Sequence, residues 1–441
     1  MDRHNTLGSG MDRRELLRRG ALAGLGLSLG PMLAPGAALA ASRPAPLPHL
    51  TQLIASRVGP GKFPGMVSAV GLPGREAQYI ARGSEGFTDP DTITPDSLFR
   101  IYSMTKPITG MAAMMLIDEG KLGLDQPLAD ILPKYAHMQV QKVPDGSLTE
   151  LRPAKNPILI RNLLTHTAGL GYTIIQKGPI KQAMEEAGVV AGQVSRIPLF
   201  GLDRGKPVES LEAFADRLAD IPLVYEPGTK WSYSLGLDLL GRVIEVVSGM
   251  PLDRFLDDRI FGPAGMTSTF FQVPRSEAGR LTTNYAAQGE LLIPIDKGES
   301  SIYLDKPPFP FGGSGLVSSP RDYDRFLHML ANYGTLNGTR VMSELAVRVG
   351  TSNLLPDGVE GKMPFGPPSG FGAGGRVGIG DEAGIFGWAG AAGTVGMVDM
   401  KHGIRSSIFV QFMPPDANSL LYDYQEALKA DLTGLTENLH E

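Results

Sequence analysis

The 441-residue chain contains no cysteine. That excludes disulfides, thiolate zinc sites, iron–sulfur clusters and a cysteine nucleophile. Tryptophan and histidine are scarce, with two and seven residues. No His-x-His, His-Glu-x-x-His or acidic cluster suggests a metal. A basic excess is also missing. Lys+Arg 41 against Asp+Glu 46 leave a net charge of −5, whereas a nucleic-acid binder is expected to be basic. Past the N-terminal segment, no apolar run is long enough to span a bilayer. The glycine-rich runs at 312–315 and 370–375 lack a following Lys-Ser/Thr, so they are not phosphate loops. Gly 56 and Pro 35 together stay below the ~25–30% that marks low-complexity chains. Hydrophobic residues make up 42%, enough for a sizeable core.

Residues 11–42 read MDRRELLRRGALAGLGLSLGPMLAPGAALAAS. A charged start, an apolar stretch and a small-x-small end predict a cleaved export leader over 1–41. The adjacent Arg13 and Arg14 before Leu16 and Leu17 resemble a twin-arginine signal, which places the mature chain in the periplasm or outside the cell. Met11 is a second candidate start. Gly26–Gly30 (GLSLG) matches the G-x-S-x-G nucleophile elbow, but that motif has meaning only on a strand–turn–helix. In a leader it is a coincidence of composition.

Hydrophobic spacing predicts a short helix over 50–58, strands over 65–71 and 78–82, and an apolar helix over 104–119 closed by Gly120. Helices are expected at 158–164, 211–218, 235–247 and 321–332. The C-terminal part changes character. Strands are predicted at 384–388, 394–399 and 406–412, the last two joined at 401–403, with a closing helix at 420–432. Strands at both ends and helices between them predict one sheet built from 42–120 and 300–441, with a mostly helical domain over 121–299.

Ser103-Met104-Thr105-Lys106 opens the apolar helix. Residues three apart on a helix share a face, so the amine reaches the hydroxyl. Burial disfavours the charged form of a lysine, and such a lysine can help take the serine proton. The nucleophile also lies near the positive end of the helix dipole. Ser-x-x-Lys alone is weak, since it arises by chance about once in 400 residues. Its place at the start of a buried helix strengthens it.

Six segments, in order, carry a resemblance: 99–116 (FRIYSMTKPITGMAAMML), 163–170 (LLTHTAGL), 226–234 (EPGTKWSYS), 260–267 (IFGPAGMT), 312–319 (GGSGLVSS) and 386–394 (FGWAGAAGT). With them the chain resembles the serine β-lactamase and penicillin-binding-protein superfamily, near its class C β-lactamase-like esterases (family VIII-type carboxylesterases). The resemblance implies an α/β plus all-α fold of the β-lactamase/DD-peptidase type, an antiparallel sheet flanked by helices beside a helical domain. It carries the second motif, Tyr-x-Asn, onto Tyr233 but not onto Leu235. A phenol beside an ammonium ionises more readily and can act as general base for Ser103. The third motif, Lys-Thr-Gly, falls on Trp388-Ala389-Gly390. The resemblance implies an oxyanion hole made by the N–H groups of Ser103 and Ala391, with Trp388, Gly390 and Leu235 at the substrate.

Trp388 brings no positive charge for a substrate carboxylate, and Leu235 no amide for an acylamino group. Both changes favour neutral, partly apolar acyl groups, which are expected to be short-chain. The expected function is an exported serine carboxylesterase without a cofactor, acting on a small-molecule ester, with no nucleic-acid partner and no membrane span after leader cleavage. Two alternatives stay open. One is a β-lactamase or D-amino-acid peptidase, for which Arg376 could replace the missing cation. The other is an inactive module that binds cell-wall fragments. His166 is expected to be structural rather than part of a Ser-His-Asp triad. The sequence gives no signal for oligomeric state.

Overall fold

The computed structural model describes residues 47–196, 205–288, 291–361, 368–414 and 419–437. The predicted leader lies outside the described residues. The described residues begin with helix α1 (Pro48–Arg57), then strands β1 (Gly65–Gly71), β2 (Gln78–Gly86) and β3 (Asp89–Thr92). Helices α2 (Thr105–Asp118), α3 (Gly236–Ser248) and α4 (Pro320–Ala331) follow. Strands β4 (Gly370–Phe371), β5 (Arg376–Val377), β6 (Ile385–Ala389), β7 (Val395–Asp399) and β8 (Ile404–Phe409) come next, and α5 (Leu420–Glu437) is the last element of the described residues. The eight strands form one antiparallel sheet in the order β4-β5-β6-β7-β8-β1-β2-β3. Its two chain ends meet where β1 pairs β8, with Val67 opposite Phe409 and Gly71 opposite Arg405.

The central strands β1, β6, β7 and β8 are buried along their full length, and alternation decides where each side chain goes. Met66, Val70, Ile385, Met397 and Ile408 pack on one face with Leu50 and Ile54 of α1 and Leu421, Tyr424 and Leu428 of α5. Val67, Phe386, Val398 and Phe409 pack on the other with Tyr323 and Phe326 of α4 and the α2 core. The outer pair of helices is tied at its end. Asp431 of α5 accepts the backbone N–H groups of His49 and Leu50, each at 3.0 Å, so a carboxylate from the last helix caps the first.

Helix α2 is buried from Thr105 to Leu116, as its all-round apolar sequence requires. It lies between the sheet and α3, so its first turn is held from both sides. The α-helical run starts at Thr105, one residue later than expected. Residues Tyr102–Met104 form a separate 3₁₀ turn, with Tyr102 held at φ 42°. The strand expected over 406–412 ends at Phe409. Gln411 draws the chain away: its Nε2 donates to Arg100 O at 3.1 Å, and Arg100 N donates to its Oε1 at 3.1 Å. Phe412–Met413 then pairs in parallel with Asn284–Gln288. The region between the sheet halves also contains short strands that spacing did not predict, Gln139–Gln141 with Leu151–Pro153 and Asn284–Gln288 with Leu291–Asp296. Among the described residues, no helix is long and apolar enough to cross a membrane.

Candidate active site

Ser103 sits at the centre of the 3₁₀ turn that precedes α2, half-buried. Its Oγ accepts from Tyr233 Oη at 2.8 Å and from Lys106 Nζ at 3.2 Å. Lys106 is fully buried and donates also to Gly313 O at 2.7 Å. The phenol ring of Tyr233 lies 4.7 Å from the ammonium, and that of Tyr172 5.7 Å away. Trp388 Nε1 donates to Tyr233 Oη at 3.2 Å. Two side chains distant in sequence, Lys106 and Tyr233, therefore meet on one hydroxyl, and Trp388 bonds to the phenol behind them.

The charge of Lys106 differs from the sequence-based expectation. Burial does disfavour its ammonium, but Tyr172, Tyr233 and Asp238 together outweigh burial. Its pKa is held above the ordinary lysine value. Its ammonium therefore stands as a positive charge beside the Ser103 hydroxyl and the Tyr233 ring.

Strand β6 delivers Trp388 and then turns at Gly390, whose N–H donates to Thr394 O at 2.7 Å. A Cβ on Gly390 would meet Ile101 O at 2.3 Å, so only glycine lets the strand end press against the Ser103 turn. Ala391 and Ala392 pack with Tyr102 in one small apolar cluster. The segment that carries the Ala391 N–H thus lies beside the turn that carries the Ser103 N–H. Gly390 is a buried spacer here.

Leu235 corrects the sequence-based expectation. Its side chain is fully buried in the main core, with no surface for a substrate to touch. It starts α3, and its N–H donates to Gly171 O at 3.3 Å. Arg376 is likewise buried, and its guanidinium pairs with Glu382 through Nη2, while its Nε and Nη1 find no hydrogen-bond partner among the described residues.

The surroundings are aromatic. Trp231 and Trp388, the two tryptophans of the chain, form a cluster with Phe371, joined by Tyr233, Leu355 and Val359. Trp388 and Phe371 meet edge to face at 5.2 Å between ring centres. His166 belongs to the same wall, 4.7 Å from the Tyr233 ring. Burial first, and the Lys106 charge second, push its pKa well below the ordinary histidine value, so it stays neutral. Its backbone O accepts from Ser232 N at 2.9 Å, and its Nδ1 from Ser234 N at 3.2 Å. His166 therefore clasps both chain neighbours of Tyr233 and makes no contact of the triad type with Ser103. Tyr172, Asp238 and the Gly313 carbonyl were not singled out from the sequence, which offers no local pattern for them.

The family model described as Beta-lactamase matches residues 50–430. Protein Rv1367c of Mycobacterium tuberculosis is 34% identical over 369 residues, covering 79% of this chain and 87% of that protein. Esterase EstB of Burkholderia gladioli is 30% identical over 365 residues, covering 77% and 84%. Among solved structures, EstCE1, described as a hydrolase with promiscuous acyltransferase activity, superposes with a TM-score of 0.70 at 24% identity, covering 86% of this chain and 97% of the other. With Ser103, a buried lysine and a phenol meeting at the start of α2, and with this match over most of its length, the chain belongs to the beta-lactamase family and is a serine hydrolase.

Proposed function

We propose that this protein is an exported carboxylesterase that cleaves neutral, short-chain esters through an acyl-enzyme on Ser103. The observation that carries this reading is the double contact of Ser103 Oγ, 2.8 Å from Tyr233 Oη and 3.2 Å from Lys106 Nζ. Ser103 Oγ attacks the ester carbonyl while Tyr233, acting as a phenolate whose own proton has already been given up beside the Lys106 ammonium, takes the Ser103 proton. The N–H groups of Ser103 and Ala391 receive the oxyanion, an electrostatic contribution that is usually among the largest in catalysis. The carbonyl–alkoxy bond breaks, and Tyr233 passes the proton to the leaving alcohol. Water then adds to the acyl-enzyme by the same route and releases the acid.

The substrate class follows from the lining. Trp388 stands where the resemblance puts a carboxylate-binding lysine, and Arg376 is held by Glu382. A substrate carboxylate would be buried against indole and phenyl rings without a partner, which is costly. Uncharged esters carry no such cost. The esterase among the relatives supports the same reading. Export rests on the Arg13-Arg14 leader in the sequence.

The test compares turnover of short-chain nitrophenyl esters with that of a chromogenic cephalosporin. Ester turnover with little cephalosporin turnover is expected. Efficient cleavage of the cephalosporin alone would overturn the substrate class. Export is checked by fractionating cells that express the full chain with Arg13→Lys and Arg14→Lys together. The double variant should stay in the cytoplasm, and unchanged export would refute the twin-arginine reading.

A further inference from the structure

Lys106 poses an electrostatic problem that Ser103 and Gly313 alone do not solve. A fully buried ammonium bonded only to neutral oxygens is costly unless a counter-charge lies near. The residue that anchors it leads to one. Gly313 O accepts from Lys106 Nζ at 2.7 Å, and Gly313 N donates to Asp238 Oδ1 at 2.9 Å. Asp238 is 1% exposed and lies in the first turn of α3, where the helix dipole favours a carboxylate.

The fit around Gly313 is close. A Cβ there would stand 2.4 Å from Asp238 Oδ2, so the carboxylate packs directly on the glycine and leaves no room for a side chain. The neighbouring carbonyl of Gly312 accepts from Thr109 Oγ1 of α2 at 2.7 Å. The turn at 312–313 is therefore a rigid bridge between the lysine-bearing helix and the aspartate-bearing one. The titratable groups that face Lys106 are Tyr172, Tyr233, Asp238 and the neutral His166, and of these Asp238 is the carboxylate.

We propose that Asp238 is a positioning residue for the reaction: through Gly313 it holds the Lys106 ammonium on the Ser103 hydroxyl and supplies its counter-charge. This rests on the reading of Ser103 as nucleophile and adds the group that keeps its neighbour charged and in place. The direction of the Lys106 pKa, above its ordinary value with Asp238 among the causes, agrees.

The test measures ester turnover, and fluorophosphonate labelling of Ser103, against pH in the full chain carrying Asp238→Asn or Asp238→Glu. Asparagine keeps an acceptor for Gly313 N and removes the charge. Its kcat should fall roughly tenfold to a hundredfold, the scale on which a buried group that loses its partner alters a site, with KM near wild type. The alkaline limb of its pH profile should move to lower pH, because Lys106 then gives up its proton more easily. Glutamate keeps the charge but displaces it, so kcat should fall while the alkaline limb stays in place.

An Asp238→Asn protein that melts like wild type, with kcat, labelling rate and alkaline limb unchanged, would overturn the proposal. Should that variant not fold, a folded Asp238→Glu protein with full kcat would overturn it equally. A wild-type chain that neither labels nor turns over esters is a different outcome: it refutes the reading of Ser103 and takes this proposal with it.

Discussion

Two buried cations six residues apart are treated in opposite ways. Arg100 is fully buried and saturated by direct partners. Its Nε donates to Asp296 Oδ2 at 2.7 Å and its Nη2 to Ser301 Oγ at 3.0 Å, while Ser301 Oγ itself donates to Asp296 Oδ2 at 2.6 Å. Lys106, equally buried, ends on two neutral oxygens, with the Asp238 carboxylate one residue further on. A cation in direct contact with its carboxylate is fixed in charge and place, and serves as a strut. A cation whose counter-charge stands behind a glycine keeps a free face for the hydroxyl it must influence. The fold uses the first to tie the strand before Ser103 to the rest of the molecule, and on the mechanism proposed above the second does chemistry.

That contrast can be broken most sharply by exchanging each cation for methionine. Lys106→Met should cost roughly 10³-fold in ester turnover, within the range of lost acid–base groups, with a melting temperature at or above wild type, because an apolar side chain often replaces a buried charge without penalty. Arg100→Met should do the reverse to the fold. It strands the Asp296 carboxylate, and breaking a buried pair costs about 3–5 kcal/mol, visible as a large loss of thermal stability. Equal effects of the two on stability would erase the distinction. Tyr233→Phe comes next. It removes the proton acceptor but leaves the aromatic wall and the Lys106 charge, so turnover should fall by about 10²-fold or more with KM nearly unchanged. A fall confined to KM would make the phenol a binding group.

The smallest effect concerns a buried carboxyl away from the site. Glu85 is 4% exposed and accepts from Ser97 Oγ at 2.7 Å, and burial pushes its pKa up to about 7. A folded-state pKa above the unfolded one contributes stability at low pH that is lost as pH rises through the folded value. Glu85→Gln should therefore melt like wild type near pH 4, below the ordinary carboxyl value, and a few degrees higher near pH 8. Parallel melting curves at both pH values would show that this carboxyl does not titrate with folding.

Much of this was legible from residue patterns, and the remainder divides by physical cause. Helix α2 and the pair β7–β8 announce themselves through long apolar runs and a Lys-His-Gly turn. Strands β4 and β5 have two residues each, too short for any period to appear, and β3 (DPDT) is built from poor strand formers that pair only because β2 is beside them. At the site, Ser103 and Lys106 are visible because helical spacing is local. The opposite charge state of Lys106 was not, because the groups that set it, Tyr172, Tyr233 and Asp238, arrive from 66 or more positions away. Leu235 shows the same limit: a motif position beside Tyr233 says nothing of which way its side chain turns, and the core claimed it.

The central claim is that one alcohol, activated by a phenol and an ammonium, carries the acyl group. Rapid quenching of the wild-type protein with nitrophenyl butyrate, followed by peptide mass mapping, tests it directly. A butyryl ester on the peptide containing Ser103, absent from Ser103→Ala together with roughly 10⁴-fold of the turnover, is the predicted result. An acyl group on another residue, or a Ser103→Ala protein that still turns over the ester, would contradict it.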